Sequence, residues 1–186
     1  MAKRRRWLKM NDSYITLLRK DLSRLCDPNL KGFLKEYLFP RGNTFRYVFW
    51  FRTMQAVKKN FISKILLGFP VYIIFRHYEY KYGIHANTNI KIGGGLKIVH
   101  GDCVYINCRE VGENFTIYQG VTTGASRNDE DIPVIKDNVK ICTNSVVCGD
   151  ITLESNCCVG ANSFVNCSVE SNTVVAGCPA KVIKRL

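Results

Sequence analysis

The chain has 186 residues, of which 46% are hydrophobic and 23% charged, so it can bury a core and is not a disordered chain. Its nine cysteines are odd in number, and the chain is too long to need disulfide staples, so they read as reduced thiols of a cytoplasmic protein. No window approaches roughly 18 uninterrupted apolar residues, which argues against a spanning helix; no apolar run follows the basic residues 1–6, so no signal peptide is expected.

The formal net charge of +12 is unevenly spread. Residues 1–82 hold 18 Lys and Arg against 5 Asp and Glu, whereas 83–186 hold 9 against 10. Seventeen of the 21 aromatic residues precede Gly83. Two units are expected: a basic, aromatic-rich α-helical region over 1–82 and a second domain over 83–186.

In the first half, Asn11-Asp12-Ser13 offers an N-cap, and Ile15, Leu18, Leu22 and Leu25 recur at helical spacing up to Asp27-Pro28. Residues 30–39 predict a second helix, stopped by Pro40 and Gly42. Asn43-Thr44 precedes a third over 45–60, and 62–80 a fourth, with a break or kink expected at Pro70. This half has three readings: packing inside an oligomer, contact of 45–80 with an anionic membrane surface, or nucleic-acid binding. The contacting cations of the membrane reading are Arg46, Arg52, Lys58, Lys59, Lys64 and Arg76. No nucleic-acid motif is present, so packing ranks first and membrane contact second.

The second half has a period of six. Steps of six from Ile135 reach Ile141, Val147, Leu153, Val159 and Val165, all aliphatic. Two residues before each stand Pro133, Val139, Ser145, Ile151, Cys157 and Ser163, mostly small or β-branched. The same beat runs upstream through Ile92, Ile98 and Val104, and restarts one residue late at Val111 and Ile117. A triangular prism explains this: each hexad gives one short strand and one corner, three hexads make a coil, and the aliphatic residues stack inside. The small residues are expected at the corners, where bulk would clash.

The stretches His85-Ala86-Asn87-Thr88-Asn89-Ile90, Gly93-Gly94-Gly95-Leu96-Lys97-Ile98-Val99-His100, Ile117-Tyr118-Gln119-Gly120-Val121-Thr122 and Ala176-Gly177-Cys178-Pro179-Ala180-Lys181-Val182-Ile183 resemble the hexapeptide-repeat acyltransferases, and within them the serine acetyltransferase branch. The first half is similar to the short helical lead of the serine-acetyltransferase-like enzymes of polysaccharide gene clusters. The resemblance implies a mainly β fold, a left-handed parallel β-helix preceded by a small α-helical N-terminal region. It also implies a homotrimer with active sites beside the prism edges.

Moving an acetyl group from acetyl-CoA to a hydroxyl needs a base that titrates near neutrality, and histidine is suited to it. His77 sits in the basic aromatic half and is read as structural or exposed. His100 falls where the family places its catalytic histidine, and the resemblance makes it the general base. His85, Asp102 and Arg127 are the expected acceptor-binding residues. By the same resemblance, Thr123, Gly124, Thr143, Asn144, Ala161, Asn162 and Lys181 are the expected coenzyme-binding residues. No metal is expected: the cysteines lack histidine partners at ligand spacing, and the two histidines of the repeat half are too few for a three-histidine site.

Two departures bear on function. Gly83 stands where serine acetyltransferases carry the aspartate that orients the histidine, leaving Asp102 or Glu110 as substitutes. In the loop 125–133, Asp131 and Ile132 replace the Arg and His of an Arg-His-Pro element that grips a carboxylate, and only Pro133 is kept. Acidic and amide groups accept hydrogen bonds from sugar hydroxyls. The first expectation is therefore an O-acetyltransferase acting on a sugar or polysaccharide precursor. Serine O-acetyltransferase is the alternative, and a non-catalytic β-helix scaffold the rival of another class.

Overall fold

The computed structural model describes residues 12–39 and 44–186. Asn11 and the stop signals at Pro40, Gly42 and Asn43 lie outside the described residues.

Four helices come first. α1 spans Tyr14–Ser23 and begins at Ser13, whose hydroxyl accepts the Thr16 amide. α2 (Leu30–Leu38) is capped by Asn29, and α3 covers Phe45–Lys59. Asn60 accepts the amides of Ile62 and Ser63 and starts α4 (Phe61–Tyr82). α4 runs on through Pro70 instead of stopping there. The Leu66 carbonyl left without its amide partner lies on an exposed stretch, where water can take it. α4 ends at Gly83, which adopts a left-handed φ of 57°.

Strands then follow in coils of three. The first coil holds β1 (Ile84–Ala86), β2 (Lys91–Ile92) and β3 (Lys97–Val99). The second holds β4 (Val104–Ile106), β5 (Glu110–Val111) and β6 (Thr116–Tyr118). The third holds β7 (Thr122–Gly124), β8 (Val134–Ile135) and β9 (Lys140–Ile141). The fourth holds β10 (Val146–Cys148), β11 (Thr152–Leu153) and β12 (Cys158–Val159). The last holds β13 (Phe164–Val165) and β14 (Thr173–Gly177), and β15 (Ala180–Arg185) folds back on β14. Every third strand pairs in parallel. This gives sheet I (β1-β4-β7-β10-β13), sheet II (β2-β5-β8-β11) and sheet III (β3-β6-β9-β12-β14-β15). The repeat half is a left-handed parallel β-helix of about five turns with a helical N-terminal region.

The six residues of the hexad count are all fully buried in the prism. The residues two before them are buried as well, so they are not the corners. The corners are made by the preceding residues, and asparagine does the work there. Asn114, Asn138, Asn144, Asn156, Asn162 and Asn172 all take left-handed φ values of 54° to 63°. Asparagine tolerates that conformation because its short amide bonds locally. At the edge between sheets II and III the amides form a ladder: Asn114 donates to Asn138 at 3.0 Å, Asn138 to Asn156 at 2.9 Å, and Asn156 to Asn172 at 3.0 Å.

The helices share one core with the prism. Tyr47, Phe51 and Phe75 pack together and continue into Ile84, Ile92 and Ile98. Arg52, one of the contacting cations of the second-ranked membrane reading, is instead 1% exposed and paired with Asp21. Its position on the core side of α3 explains the error, since composition does not tell one helix face from another. Arg46 donates to the carbonyls of Tyr37 and Leu38, and Arg76 pairs with Glu79.

Candidate active site

His100 stands at the corner between β3 and β4, on the edge where sheet III turns into sheet I. The corner is strained: His100 (φ 57°), Asp102 (φ 146°) and Cys103 (φ 53°) all have positive φ, although none is glycine. Such conformations persist only where the surroundings hold them, and they concentrate at functional sites. The helices do the holding. A Cβ at Gly101 would lie 2.9 Å from Tyr82 Cβ and 3.1 Å from Thr44 Cγ2, so only glycine fits. Thr44, at the start of α3, spends its hydroxyl on the Ile98 carbonyl at 2.9 Å instead of capping its own helix. Burial pushes the Tyr82 phenol up, opposed by the Arg46 guanidinium.

The same edge climbs coil by coil through backbone hydrogen bonds. The Gly120 amide donates to the Asp102 carbonyl at 3.0 Å, Asn144 to Gln119 at 3.0 Å, and Asn162 to Thr143 at 2.9 Å. Thr143, Asn144, Ala161 and Asn162 therefore stack above His100 on one edge. The amide oxygen of Gln119, on the coil above His100, is buried without a partner among the described residues. An unpaired buried acceptor is costly, and a ligand N–H could satisfy it.

Gly83 lies directly under this corner. A Cβ there would stand 3.1 Å from the Cys103 amide nitrogen and 3.5 Å from Asp102 Cα. Any side chain at 83 would press on this backbone from a left-handed position, which glycine avoids. The His100 ring is exposed and makes no hydrogen bond among the described residues. The histidine with a carboxylate partner is His85. Its Nδ1 stands 3.3 Å from Glu79 Oε1, and Glu79 is 6% exposed with Arg76 on its other oxygen. When Nδ1 donates to that carboxylate, Nε2 is left as the acceptor. His85 pairs with Tyr105 across sheet I, with ring centroids 6.3 Å apart.

Glu79 escaped the sequence reading. One signal pointed to it: it is the only acidic residue between Glu36 and Asp102. Other expected residues lie elsewhere. Thr123 is fully buried, and its hydroxyl is taken up by Asn107, Cys108 and the Tyr105 carbonyl, so its side chain is not free to line a coenzyme slot. Gly124 is buried next to it and opens the loop 125–133 at the edge between sheets I and II. Within one chain, Arg127 in that exposed loop is not on the His100 edge. Arg109 ties the loop down through the Glu130 carbonyl at 3.1 Å and pairs with Asp150 at 3.1 Å. Lys181 is exposed on β15, at the far end of sheet III. A cavity of about 290 Å³ lies on a different edge, between α3 and the turn before β2, lined by Gln55, Lys58, Lys59 and Thr88. All nine cysteines are free thiols. Among the described residues, no group of three or more His, Cys, Asp or Glu side chains is arranged to hold a metal ion.

The family model described as "Bacterial transferase hexapeptide (six repeats)" matches residues 132–167. A serine acetyltransferase of Staphylococcus epidermidis is 44% identical over 107 residues, which cover 55% of this chain and 50% of that protein. One from Staphylococcus xylosus is 42% identical over the same length. The chain thus spans about half the length of the relatives it matches in sequence. Among solved structures, serine acetyltransferase from Neisseria gonorrhoeae is 27% identical with a TM-score of 0.74, covering 94% of this chain and 66% of that one. The Brucella abortus enzyme in complex with coenzyme A is 25% identical with a TM-score of 0.71, covering 91% and 67%. The chain therefore carries the hexapeptide repeat of bacterial transferases and is serine-acetyltransferase-like, in sequence over 107 residues and in fold over nine-tenths of its length.

Proposed function

We propose that this chain is an acetyl-CoA-dependent O-acetyltransferase with serine as its acceptor. The observation that carries the reading is the single edge on which His100 and the corner stack of Thr143, Asn144, Ala161 and Asn162 stand. The likeness to serine acetyltransferases, one of them solved with coenzyme A, favours serine over the sugar acceptor suggested by the altered loop. His100 Nε2 takes the proton of the acceptor hydroxyl as its oxygen attacks the thioester carbonyl carbon. The tetrahedral intermediate then expels the thiolate, which takes that proton, leaving an acetyl ester and free coenzyme A. The pantetheine arm lies along the edge, and the unpaired Gln119 oxygen accepts one of its amide protons. The His85–Glu79 pair holds the acceptor, and Lys181 meets coenzyme phosphate.

The proposal includes a homotrimer. Tyr105, Thr122, Val146 and Phe164 stand in register on the outer side of sheet I, a mostly apolar row suited to facing a neighbouring copy. A trimer would also let loop 125–133 of a neighbour reach the His100 edge.

The sugar acceptor remains as a second reading because the loop residues 129–131 are acidic and Asp131 and Ile132 stand at its carboxylate-gripping positions. The test is mass spectrometry of products formed from acetyl-CoA with serine, homoserine and a panel of sugars. O-acetylserine as the dominant product supports the proposal. Acetylated sugar with serine untouched transfers the assignment to the second reading, and no acetylated product from any acceptor leaves the non-catalytic scaffold.

A further inference from the structure

The outer side of α4 is an apolar surface that the described residues leave uncovered. Val71, Phe75 and Glu79 turn inward against α3 and the first coil. On the other side stand Phe61, Ile62, Ile65, Leu66 and Phe69, each 66% to 76% exposed, with Ile73 at 51%. They recur at spacings of three and four along the helix, and Leu67, off that line, is 51% exposed as well. Exposed apolar stripes of this size mark a docking surface.

The charge around the stripe says what fits it. From residue 37 to residue 78 the sequence holds seven Lys and Arg and no Asp or Glu. Lys59 and Lys64 border the start of the stripe, are exposed, and have no ion-pair partner among the described residues. Lys58 beside them reaches only the Thr88 hydroxyl. A face-to-face contact between two copies would set these lysines against themselves, in the half that carries the whole positive excess of the protein. A head-to-tail contact needs a surface of this chain that is both acidic and apolar. The acidic loop 125–133 has no large exposed apolar side chain.

We infer that α4 docks on the surface of an anionic lipid bilayer. The stripe from Phe61 to Ile73 is 13 residues, about 20 Å of helix at the usual rise per residue. That is shorter than the roughly 30 Å of a bilayer's hydrocarbon core, and no helix among the described residues is long and apolar enough to cross a membrane. The helix therefore lies in the interface with its apolar side in the acyl region and Lys59 and Lys64 among the headgroups. Each lysine near an anionic surface raises partitioning about fivefold at low salt.

The inference is independent of the acceptor and is read without turnover. The full chain is mixed with phosphatidylcholine vesicles, alone or with about a third phosphatidylglycerol, at low ionic strength, and the bound fraction is measured by flotation. The expected result is at least about 25-fold stronger binding to the anionic vesicles, reduced by at least about that factor by Lys59→Glu with Lys64→Glu. Ile65→Glu with Phe69→Glu should abolish binding, with the melting temperature unchanged because both side chains are already exposed. Equal binding to both vesicle types, or binding that survives the apolar pair of substitutions, overturns it. So does absence of vesicle binding together with a change of sedimentation mass in the Ile65→Glu, Phe69→Glu variant, which would assign the stripe to a second copy of the chain.

Discussion

Asp21 and Arg52 form a buried ion pair that fastens the helices to the first coil of the prism. Asp21 Oδ2 accepts from Arg52 Nε at 2.9 Å, and both side chains are at most 1% exposed. Asp21 Oδ1 also accepts the amides of Gly95 and Leu96 at 2.8 Å, and Arg52 donates to the carbonyls of Ile92 and Gly93 at 2.6 Å. The pair thus satisfies four backbone groups at a corner of the β-helix as well as itself. Removing one partner leaves a charge buried and unmatched, at a cost of about 3–5 kcal/mol. Arg52→Met should lower the stability measured by urea unfolding by that amount. The double variant Asp21→Leu, Arg52→Met should recover part of it, since no lone charge then remains.

Glu79 acts on His85 through the Nδ1 contact, and its substitution should separate the two substrates. Glu79→Gln keeps a side-chain oxygen in place but removes the charge. Hydrogen bonds to charged groups contribute about 1.5–3 kcal/mol, so the acceptor KM should rise about tenfold to a hundredfold while the KM for acetyl-CoA stays within twofold. Steady-state kinetics with each substrate varied in turn would check this. Equal effects on both would mean that Glu79 supports the fold and not the acceptor.

The asparagine ladder should be sensitive to the kind of residue placed in it. Asn138→Ala removes the bonds to Asn114 and Asn156 and leaves in the left-handed corner a side chain with no amide to stabilise it locally. The conformational term alone is about 1–2 kcal/mol. Asn138→Gly loses the same bonds without that strain and should be about 1 kcal/mol more stable than the alanine variant by thermal melting.

Two thiols should tie stability to alkaline pH. Burial pushes Cys108 up to about 12, opposed by its bond to Thr123, and pushes Cys157 up to about 12. Their ordinary value is 9.0. Below pH 9 the thiols are protonated in both states and cost the fold nothing. Between pH 9 and 12 only the unfolded chain ionises, so stability should fall by about 1.4 kcal/mol per pH unit for each thiol. Urea titrations across that range would read the slope, and Cys108→Ala should reduce it. At pH 8, a thiol reagent should reach the exposed Cys103, Cys167 and Cys178 first and leave Cys108 and Cys157 until the chain unfolds.

Much of the prism was legible because its rule is local. A buried residue every sixth position follows from three flat sides and tight corners, and Ile135 through Val165 obeyed it without exception. The same phase would have placed Thr123 correctly, since it lies six after Ile117 and must point inward. The motif reading overrode the phase there. The corners were misread because small inward residues and small turn residues look alike in a sequence, and the left-handed asparagines sit one position earlier. Other features depend on partners that packing alone brings together. Asp21 and Arg52 are 31 residues apart, and no periodicity links them. Glu79 meets His85 only because α4 ends in a left-handed glycine that turns the chain back along the helix.

The most direct test of the account is coenzyme A release from acetyl-CoA with serine, followed with the wild-type chain and with His100→Ala. If His100 is the base at the prism edge, kcat/KM should fall by a factor of about 10² to 10⁴, with the melting temperature unchanged because the ring is exposed and unbonded. Turnover within a few-fold of wild type in His100→Ala, with the same rate lost instead in His85→Ala, would contradict it and move the chemistry to the histidine that Glu79 holds.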